Sequence, residues 1–504
     1  MTQSPHDHSS FSFQKLKDYD CLRDVLEAAN YTDSGILNTL GVKDFSSIHG
    51  NDIPTLLRRT SQNTPLDTLI RLFLIEVPCD ITAVRRAICP MELETWVEAG
   101  IVKIDHDAVI ATLKLLPFQG LIVAFDLLQM LKTPLYEQYV MGIGSSTITL
   151  SNLTIKKHAR LTLDLGTGCG IQALLAAKHS DHILAIDRNP RAVKLATFNA
   201  RLNGISNIEC LEGDFFEPVQ GHTFDLVITN PPFVISPEKR YIYRDGGMQA
   251  DQITQKIVRQ VPQFLSEGGF SQILCNWVEK SDQDWRERLY DWCKGTGCDV
   301  WVMRSETRDA ETYASTWIRH TERDEPEHFA KRFEKWMAYY EQHKIDSVGA
   351  GLITMRRSGG RSSHWFRADD APEKMVGPCG EYIARGFELR DFLETMRDDS
   401  TLLNTRLFTS PDVRLERHYV VSDTRWIEKT TQLQLTRGLA YAGNIDPYMA
   451  NMVMACDGTQ QLSNLMSDMA NSLGIERAQF QHTFCDVVRK LIERGFLLPA
   501  NFIS

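Results

Sequence analysis

A chain of 504 residues exceeds what one hydrophobic core organises, about 250–300 residues, so two or three domains are expected. Hydrophobic residues at 43% and charged residues at 24%, without low-complexity tracts or repeats, exclude fibrous, solenoid and wholly disordered proteins and confine expected disorder to the first ten residues. The net charge of −10 comes from acidic flanks around a balanced middle, which argues against an extended basic surface and points to the middle segment as the contact region.

The start of the chain, MTQSPHDHSS, lacks a basic stretch followed by an apolar one. No secretory signal is expected, and the protein is placed in the cytoplasm. Eleven cysteines at irregular spacing, with no C-x-x-C pair, indicate neither a disulfide framework nor a zinc site.

Residues 1–132 carry helix-period patterns such as Leu16, Tyr19, Leu22, Val25 and Leu26, and they predict an all-α domain without a readable motif. The most apolar stretch, 115–131, is interrupted by Gln119, Gly120, Asp126 and Gln129. It predicts a buried helix and no membrane span. The β-branched and small residues between 134 and 160 predict short strands leading into a second domain, 133–368.

From residue 161 short apolar strands alternate with amphipathic helices: strands are expected at 161–165, 183–187, 208–211, 225–229, 271–275, 298–303 and 348–355. Such alternation predicts a mostly parallel α/β sheet covered on both faces. A charged helical interval at about 306–345 interrupts the last two strands as an insertion. The third domain, 369–504, ends in two or three short helices, Gly495 and the apolar "FLLP", which predict a winged-helix-like module closed by a small hairpin.

Chemistry concentrates at the strand ends. "LTLDLGTGCG", 161–170, ends a strand at Asp164 and turns on Gly166, Gly168 and Gly170 into a helix, so the backbone can approach a ligand at the carboxyl edge of the sheet. A dinucleotide fingerprint would need glycine where Ile171 stands. Asp187, at the tip of the next strand in "AIDRNP", can accept bonds from both ribose hydroxyls, or it can cap a helix. Asp214 in "EGDFFE" is placed for an adenine amino group, with Phe215 as an apolar wall. Together the three tips describe an adenosine pocket.

These motifs, followed by "NPPF" at 230–233, resemble the class I S-adenosylmethionine-dependent methyltransferases whose fourth strand ends in Asn-Pro-Pro-Phe/Tyr, over about residues 140–360. The resemblance implies a Rossmann-like, seven-stranded sheet and S-adenosylmethionine as the cofactor. Asp164, Gly166, Thr167, Gly168 and Gly170 would cradle its methionine portion, Asp187 its ribose and Asp214 its adenine, with Arg188 and Phe215 also binding the cofactor. Asn230 would lie between cofactor and acceptor, its side-chain oxygen and the Pro231 carbonyl accepting both hydrogens of a planar NH₂. Pro231 and Pro232 would hold these acceptors rigidly, and Phe233 would stack on the flat substrate.

Two further stretches are expected to touch substrate. The loop "SPEKRYIYRDGGMQADQI", 236–253, offers Tyr243 and Arg244 next to a Gly246-Gly247 hinge, and is similar to the Gly-Gly segment of glutamine methyltransferases. "RRSGGRSSHWFR", 356–367, interleaves Arg356, Arg357, Arg361 and Arg367 with aromatics, which suits phosphates and unstacked bases or a solvated hairpin tip. No metal cluster stands out. The expected activity is N-methylation of an exocyclic amine in RNA; methylation of a protein glutamine amide is the alternative, and an inactive binding scaffold is the alternative of another class.

Overall fold

The computed structural model describes residues 11–502 apart from 49–51, 135, 239, 322–325 and 362. The disorder expected of the first ten residues lies outside the described residues. The chain forms two compact units, residues 1–150 with 158–369, and residues 151–157 with 370–504.

The first unit is built on one sheet. Its strands are β1 (Ala159–Leu165), β2 (Ser180–Asp187), β3 (Ile208–Glu212), β4 (Phe224–Thr229), β5 (Leu265–Glu279), β6 (Cys298–Asp309), β7 (Ser347–Arg357) and β8 (Phe366–Asp370). Their order is β8-β6-β7-β5-β4-β1-β2-β3. Strands β1 to β5 run parallel, and β7 is antiparallel to both β5 and β6. Central strands such as β4 read as continuous apolar runs because both faces are covered. An eighth strand corrects the expected seven: the end of the basic stretch leaves its loop and lies along β6, where Val300 N–H donates to the Trp365 carbonyl at 3.0 Å.

Residues 102–126 correct the expected all-α head. Val102–Asp105 and Ala108–Ala111 pair in a three-stranded sheet with Cys79–Asp80, and Leu113–Phe118 pairs with Leu121–Asp126 as a hairpin. Gln119 and Gly120, read as breaks in a helix, are the two-residue turn itself, with φ of +52° and +79°. Leu113 and Leu115 are buried while Lys114 and Leu116 are half-buried, a period of two that belongs to a strand. The 134–160 stretch is corrected in the opposite sense. Its expected strands are replaced by a helix, Ser145–Leu153, whose Thr147 carbonyl accepts from Gln172 at 3.0 Å, so tertiary contacts override the β-branched composition.

The hairpin docks on the helix Pro190–Leu202 of the sheet's own layer. Asn199 accepts from Ala124 N–H at 2.7 Å and donates to the Ala124 carbonyl at 2.8 Å; Asn203 does the same with Ile122 at 2.9 and 2.8 Å. Below it, Asp126 pairs with Arg191 at 2.6 Å in the core and accepts from Val140 N–H at 2.8 Å. Asp126→Ala would leave the Arg191 charge buried, so it is expected to cost about 3–5 kcal/mol in chemical denaturation. A loss below about 1 kcal/mol would show that the pair is not a buried one.

Between β6 and β7 the expected insertion forms two helices, Ala310–Thr321 and Pro326–His343, packed through Tyr313, Trp336 and Tyr340 against Val234 and Ile235. In the second unit, helices Pro447–Ala455, Leu462–Leu473 and Arg477–Glu493 enclose Met466, Phe484 and Val488. The hairpin expected after Gly495 does not form. Leu497–Pro499 pairs instead with Leu407–Thr409, a strand from the start of the unit.

Candidate functional site: a pocket at the carboxyl edge of the sheet

The ends of β1, β2 and β4 open into one pocket that Asp164, Gly166, Thr167, Gly168, Asp187, Arg188, Asp214, Phe215, Asn230, Pro231 and Pro232 all line. Its floor is the glycine loop. Gly168 and Gly170 both hold left-handed backbone, φ +56° and +85°. At Gly170 a Cβ would also lie 3.0 Å from the Ala196 Cβ, so glycine lets the loop press against helix Pro190–Leu202.

Asp164 organises that loop from below. It is 1% exposed and accepts from the Thr167 hydroxyl at 2.6 Å and from Ala173 N–H at 3.0 Å. Burial pushes its carboxyl up from 3.8 to about 6, and these two hydrogen bonds offset only part of the effect. The native state therefore holds more protons here than the unfolded chain between those values, and the Asp164 contribution to stability falls as pH rises through about 4 to 6. Asp164→Asn removes the titration. The difference in unfolding free energy, variant minus wild type, is expected to rise across that window by up to about 3 kcal/mol; a flat difference would contradict the burial.

Asp187 presents a carboxylate at the pocket wall. One oxygen accepts from Gly168 N–H and the other from Asn189 N–H, each at 2.9 Å, and each keeps a second lone pair. Burial again raises its pKa. Two neighbouring acceptors with spare lone pairs suit a vicinal diol. Asp214 and Phe215 continue the wall, and Lys256 Nζ lies 3.8 Å from the Phe215 ring centroid.

At the other side stands Asn230, directly after β4. Its Nδ2 donates to the Ser146 hydroxyl at 3.2 Å, and its Oδ1 is buried without a hydrogen-bond partner among the described residues. An unpaired buried acceptor costs about 1–3 kcal/mol, so its persistence marks a place where a ligand donor belongs. An acidic diol acceptor, a glycine-lined floor and an orphaned amide oxygen together fit S-adenosylmethionine and a methyl acceptor. Ser146 was not legible beforehand, because the Gly144-Ser145-Ser146 start of its helix lay within the stretch read as strands. Tyr139 was missed for the same reason; it lines the pocket in a T-shaped contact with Tyr243, centroids 5.3 Å apart.

Several expected substrate contacts are placed elsewhere. Phe233 leaves the pocket and meets Trp317 of the insertion, centroids 6.3 Å apart, whereas Tyr243 lines the cavity with Tyr139 and Phe215. Burial raises the Tyr243 hydroxyl from 10 to about 12. Arg244 is 2% exposed and pairs with Asp245 at 2.8 Å, while Asp245 accepts from the N–H groups of Arg240 and Tyr241 at 3.0 Å. It braces its own loop.

Arg356, Arg357 and Arg361 are not brought to the pocket. Arg356 pairs in register with Phe270, which pairs with Leu226 near the start of β4, so it lies at the opposite edge of the sheet from Asn230. Asp299, fully buried, accepts from Arg356 at 2.7 Å and Arg361 at 3.1 Å, and Arg357 donates to the Pro262 and Thr296 carbonyls. Among the described residues no group of three or more His, Cys, Asp or Glu could hold a metal, and no helix is long and apolar enough to cross a membrane.

Comparison with known proteins assigns this region. Residues 141–290 match the family described as Methyltransferase small domain, while residues 28–112 and 384–499 each match a domain of unknown function. A putative protein N5-glutamine methyltransferase of Methanocaldococcus jannaschii is 34% identical over 151 residues, 29% of this chain and 75% of that protein. The release factor glutamine methyltransferase of Escherichia coli is 36% identical over 132 residues, 23% of this chain and 47% of that enzyme. A tRNA1(Val) (adenine(37)-N6)-methyltransferase of Actinobacillus pleuropneumoniae is 30% identical over 139 residues, 27% of this chain and 59% of that enzyme. With the pocket, the Asn230-Pro-Pro-Phe233 strand end and these relatives in view, the chain belongs to the class I S-adenosylmethionine-dependent methyltransferases of the Asn-Pro-Pro-Phe/Tyr branch.

Proposed function

We propose that this chain methylates a planar amino nitrogen, with the NH₂ of an RNA base as the first reading. The buried, unpartnered Oδ1 of Asn230 carries the proposal. S-adenosylmethionine supplies an electrophilic methyl group. Asn230 Oδ1 and the Pro231 carbonyl then accept the two N–H groups of the acceptor, which turns the nitrogen lone pair out of conjugation and toward that methyl. Ser146 holds the Asn230 amide with its oxygen toward the acceptor, and Tyr243 offers a flat face.

The likeness to the tRNA adenine N6-methyltransferase supports the RNA reading. A protein glutamine amide is the second reading, favoured by the likeness that spans 75% of the Methanocaldococcus protein. The commitment of Arg356 and Arg361 to Asp299 also removes one support for an RNA surface.

Labelled S-adenosylmethionine added to a lysate of cells lacking this gene separates the two. Label released by nuclease identifies RNA, label released by protease identifies a protein amide, and no protein-dependent label at all contradicts the activity.

A further inference from the structure

The two inserted helices have no assigned role, and among the described residues none of theirs lines the pocket. Their polar groups nonetheless converge on the irregular segment that follows Asn230. Ile235, five positions beyond Asn230, is 1% exposed, so its backbone N–H and carbonyl both need partners. The N–H donates to the Tyr313 hydroxyl at 3.2 Å, and the carbonyl accepts from the Tyr340 hydroxyl at 2.8 Å. Tyr313 also accepts from Asn276 Nδ2 of β5 at 2.8 Å, which ties the clamp to the sheet.

The far end of the segment is held in the same way. Ala250 N–H donates to the Tyr339 hydroxyl at 2.8 Å. Between the two ends, half-buried Glu238 lies 3.5 Å from Arg332, 3.8 Å from Lys335 and 3.6 Å from Arg244. Trp317 takes the Phe233 ring. A stretch whose described residues form no strand or helix thus takes hydroxyl and charge contacts from the insertion in addition to its own Arg244–Asp245 brace.

We infer that the helical insertion is a positioning clamp for the acceptor loop, with Tyr313 and Tyr340 fixing residues 231–246 so that Asn230, Pro231 and Tyr243 converge on one acceptor nitrogen. The inference rests on the proposed role of Asn230. Removing the Tyr340 hydroxyl leaves the buried Ile235 carbonyl without its partner, and removing the Tyr313 hydroxyl frees the Ile235 N–H together with Asn276 Nδ2 of β5, while the backbone ladder of the sheet and the glycine floor stay paired. Acceptor geometry should therefore suffer and cofactor binding should not, since a displacement of about 1 Å at a reacting pair can cost about 100-fold in rate.

The test uses Tyr313→Phe in the full chain, with the RNA and protein of a lysate from cells lacking the gene as the acceptor probe. Initial rates are measured against lysate concentration, and S-adenosylmethionine binding is measured by calorimetry. Transfer efficiency is expected to fall about tenfold or more while the cofactor dissociation constant stays within about twofold. Tyr340→Phe should repeat the pattern. Phe333→Ala removes a ring that stacks on Phe329 at 6.2 Å and packs against the same apolar cluster without a hydrogen-bonding group of its own, so it should lower Tm yet keep transfer efficiency within about threefold. Wild-type efficiency in Tyr313→Phe, or an equal loss in Phe333→Ala, would overturn the clamp. An active Asn230→Ala protein would instead overturn the functional reading on which the clamp stands.

Discussion

Asn230→Ala is expected to lower methyl transfer by about 10²–10³-fold while S-adenosylmethionine affinity stays within about threefold. The asymmetry follows from where the side chain makes its bonds. Its Nδ2 is engaged by Ser146 and its Oδ1 faces an unfilled demand, so the residue has one interaction in reserve for the acceptor. An acceptor NH₂ bonded at both hydrogens is oriented before reaction and becomes a better donor to that oxygen as positive charge builds on nitrogen. The interaction therefore strengthens in the transition state, which is why the loss falls on the rate. Ser146→Ala gives an internal check. It frees the amide to rotate without removing the oxygen, so a smaller loss of about tenfold is expected. A fully active Asn230→Ala protein would contradict the assigned role; a variant that no longer binds cofactor would show that the residue shapes the cofactor pocket instead.

Asp187→Ala is expected to do the reverse, weakening S-adenosylmethionine binding about 100-fold or more with little change in the transfer rate at saturation. Hydrogen bonds to a charged group contribute about 1.5–3 kcal/mol each, and a diol offers two of them. At about 1.4 kcal/mol per tenfold, even the lower figure for two bonds reaches that loss. The substitution also releases the Gly168 and Asn189 N–H groups, which loosens the glycine floor and adds to the effect. Titration calorimetry reads the change directly. An affinity within about threefold of wild type would mean that the ribose hydroxyls lie elsewhere.

Much of this site could be read from the chain because the signals are local. Each expected strand of the sheet is present, and Asp164, Asp187 and Asp214 all line one pocket, because a parallel α/β sheet brings consecutive strand ends to a single edge. The misreadings share a different physical origin. Gln119-Gly120 is a break in a helix or the turn of a hairpin according to the partner across it, and the partner is decided by Asn199 and Asn203, about 80 residues away. The arginines of 356–367 look available in sequence, yet their counter-charge, Asp299, lies 57 residues before Arg356. Phe233 sits in the expected motif but follows the insertion, where it meets the half-buried Trp317 ring in a T-shaped contact.

The acceptor proposed for this pocket is a nitrogen held planar by conjugation. The most direct test is mass spectrometry of the methylated product, isolated after nuclease and protease digestion, with the methyl position assigned by fragmentation. The structure predicts the methyl on an exocyclic base amine or on a glutamine amide nitrogen. A methyl found on a hydroxyl, a ring carbon or a lysine amine would contradict it, because none of these is a planar NH₂ that presents both hydrogens to Asn230 and Pro231.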